Sequence, residues 1–169
     1  MILDIKKFPD PILRQKASEV TNIDESTLTL MSNMVETMMS APGVGLAAPQ
    51  VGISQRIIVV NLAAAQQEVN IQQFINPQIV EVEGSETDEE GCLSLPGEFA
   101  LVKRAEKIFL KAINDKGEEL KLELEGLPAR IVQHEIDHLD GILFIDRLSI
   151  YKREAIKKHI KKRVAAGEY

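Results

Sequence analysis

The segment KIFLKAINDKGEELKLELEGLPARIVQHEIDHLDG, residues 107–141, changes its hydrophobic period in mid-course. Leu120, Leu122 and Leu124 alternate with charged residues, the two-residue repeat of a strand with one wet face. KIFLKAIND and EELKLELE flank Asp115-Lys116-Gly117, a turn signal that predicts a β-hairpin. From Leu127 the period lengthens. Leu127, Ile131, His134 and His138 recur at spacings of four, three and four, which places them on one face of an α-helix. Pro128 suits a first helical turn and Gly141 a C-cap, so the helix is expected over 127–140.

Outward from this segment the same reading applies. Leu28, Met31, Val35 and Met38 recur at helical steps and predict a helix from about Asp24 to Ser40, capped by Asn22 or Asp24. APGVGLAAPQVG (41–52) reads as a loop. RIIVVNL (56–62) is β-branched and apolar, a buried strand. FINPQIVEVEG (74–84) is strand-like, and its Pro77 argues for an edge or a strand start. The first 20 residues, with Pro9 and Pro11, read as extended or irregular chain. A last helix is expected over 149–164, capped by Ser149, with Ile156, Ile160 and Val164 as a thin apolar stripe. Helices and antiparallel strands come in blocks without βαβ alternation, which gives an α+β fold.

With 169 residues, 44% hydrophobic and 27% charged, the chain has the length and composition of one globular domain, 1–169. No apolar run approaches the roughly 20 residues that span a bilayer. MILDIKKFPDP lacks the basic and apolar regions of a signal peptide, so a cytoplasmic protein is expected. Cys92 is the only cysteine, so no internal disulfide forms and the thiol is free for metal or catalysis.

The chemistry gathers in two places. In HEIDH (134–138) the two histidines are four residues apart, about 400° of helical rotation and about 6 Å of rise. Both imidazoles point the same way and can bind one ion. Glu135, rotated about 100° from His134, lies beside the ion, where it can handle the proton of an activated water. Two histidines need a third ligand. The metzincin pattern fails, because its last histidine is here Phe144. Glu154 is a candidate but sits among lysines. Cys92 remains, and a thiolate with two imidazoles leaves a fourth position open.

GVGLAAPQ (43–50), EGCLS (90–94) and HEIDH (134–138) together resemble, in order and spacing, the three signature motifs of the peptide deformylases. The resemblance extends over nearly the whole chain. It implies sheets packed around the helix that bears the histidines, and a metal held by Cys92, His134 and His138. It implies Fe(II) as the native ion, with Zn(II), Ni(II) or Co(II) also able to occupy the site. The implied activity is removal of the N-terminal formyl group from formyl-methionyl nascent polypeptides, with release of formate. Glu135 would be the base, and the Gln50 amide and the Leu93 backbone N–H would donate to the developing oxyanion. Gly43 and Gly45 lack a Cβ, so their backbone can approach a ligand closely or adopt positive φ. By the resemblance this segment pairs with the substrate backbone like an added strand. Val44 and Ile131 are candidate walls for the methionine side chain, and Gln133 and Asp137 flank the ligands.

Within 149–164, Lys152, Arg153, Lys157, Lys158, Lys161, Lys162 and Arg163 face a single acid, Glu154, in a chain of net charge −6. Such a cluster can bind polyanions. In some members of the resembling family this helix docks on ribosomal RNA near the exit tunnel, so the ribosome is an expected partner. Three other readings share parts of the pattern. A zinc endopeptidase would share H-E-x-x-H, but Cys92 and Phe144 argue against it. A cysteine hydrolase would use Cys92 as nucleophile and survive a chelator. A ribosome-binding module with a structural metal would need four protein ligands, where three are counted.

Overall fold

The computed structural model describes residues 1–169. It contains three helices, α1 (Glu25–Ser40), α2 (Leu127–Leu139) and α3 (Ile150–Ala165). The seven strands are β1 (Gly45–Ala47), β2 (Ile57–Asn61), β3 (Ile71–Glu83), β4 (Glu86–Cys92), β5 (Leu95–Arg104), β6 (Lys107–Ile113) and β7 (Glu119–Glu125). One sheet has the order β1-β2-β3-β6-β7, and β4-β5 form a separate ribbon. The fold is α+β as expected, and every pairing between these strands is antiparallel. No helix is long and apolar enough to cross a membrane.

The layering follows from β2, whose five residues are all buried. Successive side chains point to opposite faces. Ile57 and Val59 pack with Met31, Met34 and Met38 of α1. Ile58 and Val60 pack with Ala129, Ile131, Val132 and Ile136 of α2. The sheet is therefore sandwiched between α1 and α2, and burying each such side chain contributes roughly 1.5–3 kcal/mol. The ribbon covers the other side of α2 through polar contacts. With cover on both sides, ten of the thirteen α2 residues are buried.

Several expectations need adjustment. The inward face of α1 carries Met34 rather than Leu28, which is 43% exposed. The helix is capped by Asp24, whose carboxylate accepts from Thr27 N. The segment read as a loop at 41–52 forms the edge strand β1 and a 3₁₀ turn at Ala48–Val51. The irregular N-terminal stretch includes a 3₁₀ turn at Pro11–Arg14. Strand β3 begins earlier than expected. Its first half pairs with β2 as far as Ile75, and its second half pairs with β6. Pro77 falls in the register shift between Ile75 and Gln78, where β2 has ended and no N–H is needed on that side. The ribbon β4–β5 has no counterpart in the sequence pattern.

Helix α3 starts at its Ser149 cap, which accepts from Lys152 N. Ile160 is buried among Leu95, Val102, Phe144 and Ile145, with Ile156 against the same cluster. Val164 is 53% exposed, so the apolar stripe is shorter than expected. Polar contacts complete the docking: Arg163 donates to Pro96 O at 2.6 Å and to Glu98 Oε2 at 3.0 Å.

Candidate active site

Helix α2 and the end of β4 bring the predicted metal-binding residues together. Cys92 Sγ and one ring nitrogen each of His134 and His138 lie within 4.8 Å of one another. Cys92 Sγ is 3.3 Å from His138 Nε2, and the two imidazole centroids are 5.0 Å apart. One thiolate and two imidazoles suit a single divalent transition ion. Phe144, which breaks the metzincin pattern, stacks against His134 at 6.3 Å.

Glu135 is buried, and its Oε1 has no hydrogen-bond partner. Burial pushes its carboxyl up to about 7, with His134 opposing the shift and Glu90 adding to it. Such a carboxyl is poised to exchange a proton near neutral pH. Its other oxygen lies against Gly45, where an added Cβ would be 2.6 Å from Oε2. An added Cβ on Gly43 would be 2.7 Å from Leu93 Cδ1. Neither glycine has positive φ. What these positions require is therefore space for Glu135 and Leu93, and the expected conformational reason does not apply.

Gln50 is 1% exposed. Its Oε1 accepts from Ala47 N at 2.9 Å, which turns its amide nitrogen toward Ser94 Oγ at 3.1 Å and Cys92 Sγ at 3.6 Å. A cavity of about 490 Å³ opens above this floor. Gly43, Val44, Gly45, Gln50, Cys92, Leu93, Ile131, His134 and Glu135 all line it. The remaining predicted residue, His138, is 1% exposed beneath them.

Behind the histidines runs a chain of buried charges that the sequence did not announce. Glu90 Oε1 is 2.9 Å from His134 Nδ1, which leaves the other ring nitrogen of His134 toward Cys92. Glu90 also takes Arg104 at 2.8 and 2.9 Å and Arg130 at 2.7 Å. Burial alone would raise the Glu90 pKa, but Arg104 and His134 hold it well below the usual carboxylate range. Arg104 reaches on to Asp137 at 2.5 Å, and Arg147 closes the chain on Asp137 at 2.7 Å. Of the two flanking residues, Asp137 thus belongs to the network behind the site. Gln133 instead clamps the backbone of Ala105 and Ala129. The one available signal is Arg130 and Asp137 on a helix expected to be packed between sheets, since buried charges demand partners.

A thiolate and two imidazoles, beside a buried carboxylate on the floor of an open cavity, make the architecture of a metal-dependent hydrolase of the H-E-x-x-H kind. Comparison with known proteins narrows the class. The family model for polypeptide deformylase matches residues 2–154. A peptide deformylase of Thermodesulfovibrio yellowstonii is 48% identical, over 95% of this chain and 97% of that one. The crystal structure of a peptide deformylase from Legionella pneumophila superposes with a TM-score of 0.89 at 43% identity, covering 98% of each chain. That of Ehrlichia chaffeensis in complex with actinonin gives 0.91 at 36% identity, over 96% of this chain and 97% of that one. The chain belongs to the polypeptide deformylase family, metal-dependent hydrolases that remove the N-formyl group from nascent polypeptides.

Proposed function

We propose that Cys92, His134 and His138 hold one divalent ion and that Glu135 works beside it to hydrolyse the formyl amide of formyl-methionyl peptides. The observation that carries this reading is the convergence of the three donor atoms within 4.8 Å, next to a buried Glu135 whose Oε1 has no partner. A bound ion supplies Lewis acidity, lowering the pKa of a water and polarising the formyl oxygen. Glu135 takes the proton of the attacking water and returns it to the leaving amine as the C–N bond breaks, giving formate and a free N-terminus. The Gln50 amide nitrogen and the Leu93 backbone N–H donate to the oxyanion. Val44 and Ile131 offer apolar contacts to the methionine side chain, and the Gly43–Gly45 backbone aligns the peptide.

Fe(II) is our choice of native ion. Zn(II), Ni(II) and Co(II) suit the same donors, and availability decides among them. We also propose that α3 docks on ribosomal RNA, because Lys152, Lys158, Lys161 and Lys162 are exposed along it, whereas Arg163 is turned inward onto Pro96 and Glu98. Such binding weakens steeply with salt. Work on nascent chains fits a cytoplasmic location. Formate release from a formyl-methionyl tripeptide by anaerobically purified protein tests the activity, and no formate from metal-loaded protein would overturn it. Ribosome cosedimentation tests the docking, which fails if deletion of 149–169 leaves the sedimented fraction unchanged.

A further inference from the structure

We infer that the outward face of the β4–β5 ribbon is a track for the nascent polypeptide beyond the cavity, with Leu101 as its apolar contact. This rests on the deformylase reading above. In the ribbon Gly91 pairs with Phe99, Glu89 with Leu101 and Thr87 with Lys103. Along β5, Val102 and Arg104 point inward at 1% and 5% exposure, while Phe99 and Leu101 point outward at 63% and 58%. Phe99 and Glu89 also line the active-site cavity. The outward face therefore begins in the cavity wall and continues out of it without a break.

The occupant is the remainder of the substrate itself. A nascent chain is far longer than the cavity, so its next residues leave over the rim. An extended peptide presents a side chain on one face every two residues, roughly 6.6 Å apart, which is the spacing of Phe99 and Leu101 along their own strand. Phe99 and Leu101, next to each other on that face, offer a passing chain an exposed apolar strip that continues from the cavity wall. The Glu89 carboxylate opposite Leu101 favours a basic side chain there. The track would take an extended peptide with an apolar residue over Leu101 and a Lys or Arg beside Glu89.

The test is formate release from a formyl-methionyl tripeptide and from hexapeptides extended by Leu and Lys or by Gly and Ser. The readout is the ratio of kcat/KM, long over short, taken within each variant so that loss of active enzyme cancels. Wild-type protein should favour the Leu/Lys hexapeptide about fivefold, through KM, with little gain from Gly and Ser. Leu101→Ser should bring the ratio toward one and Leu101→Met should keep it. A wild-type ratio of one, or a gain that survives Leu101→Ser, overturns the track while the tripeptide activity stands. No formate from any peptide overturns the deformylase reading and the track together.

Discussion

Glu90 Oε1 lies 2.9 Å from His134 Nδ1, and both groups are buried. The carboxylate fixes the ring so that its other nitrogen faces Cys92. Glu90 also neutralises Arg104 and Arg130, so its loss has two consequences. Glu90→Ala should weaken metal binding about ten- to a hundredfold and destabilise the fold by about 3–5 kcal/mol, since buried Arg130 loses its only carboxylate and Arg104 is left with Asp137 alone. Glu90→Gln should keep more of the stability than of the metal affinity. Chelator competition and denaturant unfolding on the same samples separate the two effects. Metal affinity equal to wild type in both variants would contradict the positioning role.

Glu135 makes no hydrogen bond to Cys92, His134 or His138, the three proposed ligands. Glu135→Ala is expected to retain one ion per chain and to lose at least about a hundred- to ten-thousandfold in kcat. Metal analysis beside a formate assay checks both halves. Near wild-type turnover would remove Glu135 from its role as base.

The two glycines should differ. Alanine at 45 brings a Cβ to 2.6 Å from Glu135 Oε2 and to 3.0 Å from Cγ and Cδ. The Glu135 carboxyl must then shift, and if it is the proposed base a shift of about 1 Å can cost about a hundredfold in rate. Alanine at 43 meets mainly the mobile end of Leu93, which can turn aside. Gly45→Ala should therefore lose far more kcat than Gly43→Ala, with metal content unchanged in both. Equal losses would show that the space around Glu135 is not what Gly45 provides.

Gln50 is held by Ala47 N with its amide nitrogen toward Cys92. Gln50→Ala should lower kcat about a hundred- to a thousandfold and change KM much less, because the oxyanion exists only on the way to product. A change confined to KM would make Gln50 a binding residue instead.

Period and caps made much of the fold legible. The two-residue alternation of β6–β7, the apolar run of β2 and the capped four-three-four face of α2 all stand where expected. The ribbon β4–β5 was not legible, because β4 reads ETDEEGC, a stretch poor in strand formers. Its inward Glu90 is stabilised by Arg104 and Arg130, fourteen and forty residues away, a pairing that no local pattern reveals. The same holds for the site. Three short motifs carried the residues that line the cavity floor, whereas the charges behind them come from β4, β5, α2 and the turn before α3 and meet only in the fold. On α1 the buried face runs through Thr27, Met31, Met34 and Met38, which sets Leu28, one residue after Thr27, about 100° to one side of it.

The proposed chemistry needs one ion, held by Cys92, His134 and His138. The most direct measurement titrates metal-free protein with Fe(II) without oxygen and follows formate release from a formyl-methionyl tripeptide. The rate should rise linearly and stop at one ion per chain, and Cys92→Ala, His134→Ala and His138→Ala should each abolish the rise. Formate released at full rate by metal-free protein, or a full titration in the Cys92→Ala variant, would contradict the account.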